Sequence, residues 1–91
     1  PSFSREEDQT AKILTGFFQQ HGIAVKRKGN NVWVTNQFFD VDKPTILLNS
    51  HHDTVKPNPT YTRPPFEPAI EGDRLFGLGS NDAGGPLVSL I

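Results

Sequence analysis

The sequence contains no cysteine, and its 91 residues include nine basic and ten acidic side chains, giving a formal net charge of −1. Without cysteine the chain has no disulfide framework, iron–sulfur cluster or thiolate-bound zinc, so any metal must be held by His, Asp or Glu. The balanced charge provides no basic surface for a phosphate backbone. Nucleic acid is therefore not expected as a partner.

Long hydrophobic runs are also lacking. The strongest apolar run, Ile46-Leu47-Leu48, is far shorter than the roughly 20 residues that span a bilayer, so no membrane association is expected. The acidic start, residues 1–8, does not have the pattern of a secretory signal or transit peptide, and the expected location is the cytoplasm. With 34% apolar residues and eight prolines, the chain is expected to be marginal as a self-contained fold.

The N-terminal third predicts an amphipathic helix from about Ser4 to His21. Ser4 and Glu7 have the spacing of a capping box, and Gly22 is typical of the position just past a helix end. Apolar residues of the expected buried face recur at helical spacing: Ala11, Leu14, Phe17 and Phe18.

The rest of the chain indicates short strands and loops, and hence an α/β fold class. Residues 23–28 and 32–35 predict a hairpin that turns at residues 29–31, and residues 69–76 predict a second hairpin that turns at Gly72-Asp73. The unbroken apolar run in residues 45–49 predicts a strand covered on both faces. Residues 56–68 carry five prolines and predict an extended loop.

A polar cluster, His51-His52-Asp53, follows the apolar run at residues 45–49. In an extended segment side chains at i and i+2 point to the same side, so His51 and Asp53 converge while His52 points away. A carboxylate that fixes an imidazole in this way is common beside zinc ligands. A simple His–Asp turn at a strand end is the alternative, and spacing alone favours that alternative.

Asp82 is the only acid in the glycine-rich stretch of residues 77–85. An ordinary turn with a helix-capping Asp is one interpretation. Phosphate binding at the start of the following helix is another, but the stretch lacks both the Lys-Ser/Thr of a nucleotide loop and a third glycine in GxGxxG spacing. One polar loop carries His51 and the other carries Asp82, and each loop follows an apolar element. This arrangement favours a metal site that the two loops share.

Three ordered motifs resemble those of the M20 family of metallo-hydrolases, and in particular its acetylornithine deacetylase type. LLNSHHDTV (residues 47–55) resembles the LLxxHxDTV block of the family. RPPF (residues 63–66) and GDRLFGLGSND (residues 72–82) are similar to the stretch from RDPF to GKLYGLGxxD, and PSFSREE (residues 1–7) is similar to PSxSxEE. The resemblance runs from end to end of the chain.

The resemblance implies a three-layer α/β/α catalytic domain with a central mixed sheet and a pair of zinc ions, with cobalt as a substitute metal. By the same resemblance, His51 matches a histidine ligand of one metal, and Asp82 matches the carboxylate that bridges both. Asp53 matches the catalytic aspartate that orients the histidine. The implied reaction is hydrolysis of the N-acyl amide of a small N-acylated amino acid, and the implied assembly is a homodimer.

The sequence departs from the family pattern after Asp82. Residues 83–85 read Ala-Gly-Gly, whereas the family often has Met-Lys-Gly there. The general base and the remaining metal ligands of the family have no counterpart in residues 1–91. We therefore expect these residues to be the N-terminal portion of a larger catalytic domain, inactive alone, prone to self-association and able to bind zinc only weakly through His51 and Asp82.

Three functions follow as hypotheses. The first is an acetylornithine deacetylase-like hydrolase of arginine biosynthesis. The second is another M20 activity, namely a succinyl-amino-acid desuccinylase, an aminoacylase or a dipeptidase, since these activities share both metal loops. The third belongs to a different class: a non-catalytic module that binds a partner through an exposed sheet edge and an apolar helix.

Overall fold

Helix α1 forms the first element of the computed structural model, which describes all residues from Pro1 to Ile91. The helix spans Asp8–Gln20 and buries Ala11 and Phe18, as predicted. Leu14 is only partly buried, and Phe17, which was predicted on the same buried face, is 41% exposed. Its start differs from the prediction, because Glu7 is the N-cap residue and no side chain caps the helix. The Ser4 hydroxyl donates instead to the carboxylate of Asp53, so a tertiary partner replaces the predicted capping box.

Two antiparallel hairpins follow α1 at the predicted places. Strands β1 (Val25–Lys28) and β2 (Asn31–Val34) pair with Lys28 opposite Asn31, which leaves a two-residue turn. Strands β3 (Ala69–Glu71) and β4 (Arg74–Phe76) pair around Gly72-Asp73. Both hairpin predictions are confirmed. Trp33 in β2 is 44% exposed, because α1 covers the first hairpin only in part.

The predicted strand at residues 45–49 is not formed. The segment is extended but pairs with no other strand, and Ile46 and Leu47 are more than 80% exposed. A strand covered on both faces requires neighbours in a sheet, and the two hairpins pair only within themselves. The architecture of these 91 residues is thus mixed α/β, with two small antiparallel sheets and no central sheet.

Helix α2 (Gly85–Ser89) follows a kinked turn at Ser80–Gly84 and has Pro86 in its first turn. The turn includes a cis peptide bond between Asp82 and Ala83. Neither helix has the length and apolar content that a bilayer crossing requires.

The buried core is small, since only Ser2, Ala11, Phe18 and Ala83 are buried. The accessible surface is 7644 Å². A folded protein of this mass exposes about 5,300 Å². The radius of gyration is 15.4 Å, against about 12 Å for a compact domain of this length. Large apolar side chains are correspondingly exposed, among them Phe38, Val41, Ile46 and Leu47 at 80% or more.

The proline-rich segment packs against the N terminus and the glycine-rich stretch. The rings of Phe3 and Phe66 meet edge to face with centroids 6.0 Å apart. The N–H of Leu78 donates to the carbonyl of Pro65 at 2.8 Å. Phe66 thus anchors the extended loop, while Tyr61 is half exposed.

His52 ties the His51 segment to both α1 and the first hairpin. Its Nε2–H donates to the carbonyl of Asn30 at 2.9 Å, and its Nδ1 lies 2.8 Å from the hydroxyl oxygen of Thr10. The ring therefore points away from His51 and Asp53, as the i, i+2 spacing predicts.

We expect His52→Ala to lower the free energy of unfolding of the protein by about 1–3 kcal/mol, because two hydrogen bonds are lost and a partly buried carbonyl is left unpaired. Urea-induced unfolding measures the change. His21→Ala is the matched control, since the His21 ring hydrogen-bonds only the Phe17 carbonyl and packs only on the Phe17 ring, both at its own exposed helix end. Equal losses for the two variants would contradict a bridging role for His52.

Candidate metal centre

His51 lies at the end of the extended segment, with both ring nitrogens facing oxygen atoms. Nδ1 is 3.1 Å from the Asp53 carboxylate oxygen Oδ1 and 3.2 Å from the Asp53 carbonyl oxygen. Both oxygens are acceptors, so Nδ1 carries a hydrogen and donates it. The convergence of His51 and Asp53 on one side of the chain is what the i, i+2 spacing predicts.

Asp82 reaches His51 from the glycine-rich loop (residues 77–84). Its Oδ1 atom is 2.9 Å from Nε2 of His51, although the two residues are 31 positions apart in the chain. The Asp82 side chain is 90% exposed and that of His51 is 51% exposed. Exposed ion pairs contribute about 0–1 kcal/mol, so their attraction alone does not hold Asp82 in place. The shape of the loop must do so.

Two glycines give the loop its shape. Gly79 has φ of 81°, and a Cβ atom there would lie 2.6 Å from Cγ2 of Thr54. The N–H of Gly84 donates to the carbonyl of Gly79 at 2.7 Å, and a Cβ on Gly84 would collide with that carbonyl oxygen. The close approach to Thr54 brings Asp82 beside the His51 segment.

The electrostatics follow from these contacts. The backbone carbonyl of Asp53 and then the carboxylate of Asp82 raise the pKa of His51, because both accept hydrogen bonds from the ring. The Ser4 hydroxyl holds the pKa of Asp53 below its ordinary value by donating to the ionised carboxylate, and His51 adds to this effect. The three side chains therefore favour a protonated ring between two carboxylates when no cation is bound.

A cavity of about 320 Å³ opens beside these side chains. His51, Asp53 and Asp82 line it together with Tyr61 and the backbone of the glycine-rich loop. The volume is at the small end of the range for ligand pockets, roughly 300–1,000 Å³.

The donor atoms fit part of a zinc site. An imidazole nitrogen and a carboxylate oxygen are ordinary zinc ligands, and they converge here from separate segments. A zinc site uses three or four protein ligands, however, and no group of three or more His, Asp or Glu side chains is arranged to hold a metal ion. His51 and Asp82 would supply two ligands, while Asp53 stands on the opposite side of the imidazole.

Ser4, Gly79 and Gly84 support the site in ways that the sequence did not reveal. The capping-box pattern placed Ser4 on the helix instead of beside Asp53. Glycines in a loop indicate a turn, but they do not say which side chain the turn approaches. The one available signal was the closeness of the glycines to Asp82.

No family model matches the chain. Among curated proteins, the chain is 35% identical over 89 residues to a protein of Pyrococcus abyssi named provisionally as a LysW-lysine/LysW-ornithine hydrolase, covering 94% of the chain and 23% of that protein. It is 26% identical over 92 residues to the succinyl-diaminopimelate desuccinylase of Delftia acidovorans, covering 90% of the chain and 24% of that enzyme. The chain is similar to hydrolases.

A further relative is the LysW-lysine/LysW-ornithine hydrolase of Saccharolobus islandicus, which is 45% identical over 53 residues, covering 58% of the chain and 13% of that enzyme. The chain spans about a quarter or less of the length of these relatives. Their names agree with the hydrolase activity that the motifs implied, and the desuccinylase agrees with one of the alternative activities. None of the three is named as an acetylornithine deacetylase.

Proposed function

We propose that residues 1–91 are the N-terminal portion of the catalytic domain of a zinc-dependent hydrolase of the M20 family, which cleaves the N-acyl amide of an amino acid. The observation that carries this proposal is the 2.9 Å contact between Nε2 of His51 and Oδ1 of Asp82. Each residue lies in a motif that resembles the family, and the fold brings the two motifs together. The similarity to hydrolases supports the same reaction class.

The exposed apolar surface supports a larger catalytic domain. Ile46, Leu47 and Leu48 are 66–84% exposed in an extended segment that leads directly to His51. Neighbouring strands from the rest of the protein would cover this segment and make it the central strand of a three-layer α/β/α domain. The rest of the protein would also supply the general base and the metal ligands that residues 1–91 lack. We further propose a cytoplasmic homodimer as the complete enzyme.

Each polar side chain of the site then has a distinct role. His51 would bind zinc through Nε2, where the cation replaces a proton, and Asp53 would keep the ring oriented by accepting the hydrogen on Nδ1. Asp82, with two carboxylate oxygens, would bridge a pair of ions. Bound zinc polarises a carbonyl and lowers the pKa of a bound water to roughly 7. The cavity of about 320 Å³ that Asp82 lines would leave room for the amide.

The names of the relatives indicate a substrate class. Lysine, ornithine and diaminopimelate are all diamino acids, and the relatives are named as releasing them from LysW or from a succinyl group. We propose an N-acylated diamino acid as the substrate, with N-acetylornithine as the first candidate. Succinylated diamino acids, simple acyl amino acids and dipeptides are the runner-up substrates.

We expect the full-length protein to hydrolyse at least one of N-acetylornithine, N-succinyl-diaminopimelate, an N-acyl monoamino acid and a dipeptide. Dialysis against a chelator should remove the activity, and zinc or cobalt should restore it, because the cation supplies the Lewis acid. Release of the free amino group measures the rate. Full activity in the metal-free protein, or no activity towards any of the four substrates after zinc is added, would refute the proposal.

A non-catalytic partner-binding module is the second candidate, and one observation favours it. A groove of about 770 Å³ is lined mostly by apolar residues from α1, β2, residues 46–48 and the C-terminal Leu90 and Ile91. A partner-binding role does not explain why the side chains of His51 and Asp82 are in contact. Metal-dependent hydrolysis that is lost on substitution of either residue would exclude it.

A further inference from the structure

The N-terminal segment lies alongside the residues that carry the metal centre. Phe3 and Thr54 form a parallel β-bridge, and the N–H of Thr54 donates to the carbonyl of Ser2 at 2.7 Å. The hydroxyl of Ser2 donates to the carbonyl of His52, also at 2.7 Å, and Ser2 is only 7% exposed. Ser2 therefore fixes the backbone on both sides of Asp53, through the carbonyl of His52 and the N–H of Thr54.

Ser4 completes this contact with the side chain of Asp53. Its hydroxyl donates to Oδ2 of Asp53, while Oδ1 of the same carboxylate accepts from Nδ1 of His51 at 3.1 Å. The terminal torsion of an aspartate is broad, so a carboxylate bonded through one oxygen remains free to rotate. Partners on both oxygens hold it in one orientation.

A local structural role does not explain the position of Ser4. Helix α1 begins at Asp8, its N-cap is Glu7, and no side chain caps it. The Glu7 carboxylate accepts from the backbone N–H of Arg5 and from the side chain of Asn30, both at 2.5 Å, so it does not form a reciprocal cap with Ser4. The hydroxyl of Ser4 is committed to Asp53.

We propose that Ser4 is a positioning residue of the metal centre, acting through Asp53 on the orientation of His51. The inference rests on the proposed function, since it assigns to Ser4 a part in holding a zinc ligand. Residues 2–4, near the N terminus, then support the segment that contains His51. Oriented ligands lose less freedom when the cation binds, so loss of the Ser4 hydroxyl should weaken zinc binding.

The test is the dissociation constant of zinc for the full-length apoprotein, measured by competition with a chromophoric chelator. Partners that orient a ligand typically contribute about 10–100-fold to metal affinity. We expect Ser4→Ala to weaken binding by about 10-fold, the low end of that range, because Ser4 acts one residue further away. Ser4→Thr keeps the hydroxyl and should bind zinc within about twofold of wild type.

Two controls separate positioning from a general structural effect. Ser89→Ala removes a hydroxyl that bonds only the Gly85 carbonyl of its own helix, and it should leave zinc affinity unchanged. In an Asp53→Ala background, Ser4→Ala should cause no further loss, because the residue through which Ser4 acts is absent. A wild-type affinity for Ser4→Ala, or an equal loss in both backgrounds, would overturn the inference.

The outcome for His51→Ala distinguishes this inference from the proposed function. If His51→Ala leaves zinc affinity at the wild-type value, the proposed function fails, and the role of Ser4 fails with it. If His51→Ala weakens binding while Ser4→Ala does not, only the role of Ser4 is wrong.

Discussion

Asp82→Ala is expected to reduce the hydrolase activity of the full-length protein by at least about 1,000-fold, because loss of a direct ligand exceeds the roughly 10–100-fold effect of outer partners. The same change should lower the number of zinc ions bound, since the carboxylate is proposed to serve two ions. Steady-state rates and metal content per protomer, measured on the same preparation, check both effects. His51→Ala should have a comparable effect on rate.

Asp42→Ala is the matched control for Asp82→Ala. Asp42 is an exposed acid in the loop after β2, and its side chain makes no hydrogen bond or ion pair, so its removal changes the net charge equally. Activity should stay within about twofold of wild type, because surface substitutions that touch no core, helix cap or buried network usually have small effects. Retained activity in both Asp82→Ala and His51→Ala would remove the metal hypothesis.

Gly79→Ala is expected to have the next largest effect after loss of either metal ligand, by displacing Asp82 from His51. Alanine at φ of 81° costs about 1–2 kcal/mol in backbone strain. The added Cβ would lie 2.6 Å from Thr54 Cγ2, and such overpacking costs a further 1–3 kcal/mol or so. A misplacement of about 1 Å can reduce a rate about 100-fold, and we expect a loss of that order. Urea unfolding and steady-state kinetics measure the two consequences.

Two variants isolate the clash from the backbone strain. Gly72→Ala has a similar φ of 61°, but a Cβ there meets nothing within 4 Å, so it should lose stability through strain alone and keep its activity. Thr54→Ser removes Cγ2, and combined with Gly79→Ala it should recover most of the lost activity. If Gly72→Ala and Gly79→Ala lose stability and activity equally, the close approach to Thr54 does not position the loop.

The part of the site that follows from short spacing could be predicted. His51 and Asp53 converge because side chains two residues apart share one face of an extended segment, and His52 points away for the same reason. The meeting of His51 with Asp82 was expected from the order of the motifs and from a family resemblance. Its distance of 2.9 Å depends on the approach of Gly79 to Thr54, which no local pattern encodes.

Ser4 shows why a strong local signal can fail. In a capping box the Ser hydroxyl accepts a hydrogen bond from a nearby backbone N–H group, and each such bond contributes about 1 kcal/mol to stability. In the structure the Ser4 hydroxyl acts as a donor to an ionised carboxylate that the fold brings close, and such charge-assisted bonds are stronger than neutral ones. The hydroxyl of Ser4 therefore bonds Asp53, and α1 begins at Asp8 without a side-chain cap.

The sequence by itself determined the elements whose partners are close along the chain. These are the apolar face of α1, the two hairpins with their glycine-containing turns, and the shared side of His51 and Asp53, all of which depend on neighbours within a few residues. Only the tertiary structure decided that residues 45–49 stay unpaired, that Ser4 supports Asp53, and that Asp82 reaches His51. The last two outcomes depend on contacts between residues 49 and 31 positions apart, and the first depends on which strands lie nearby; sequence periodicity carries no information on either.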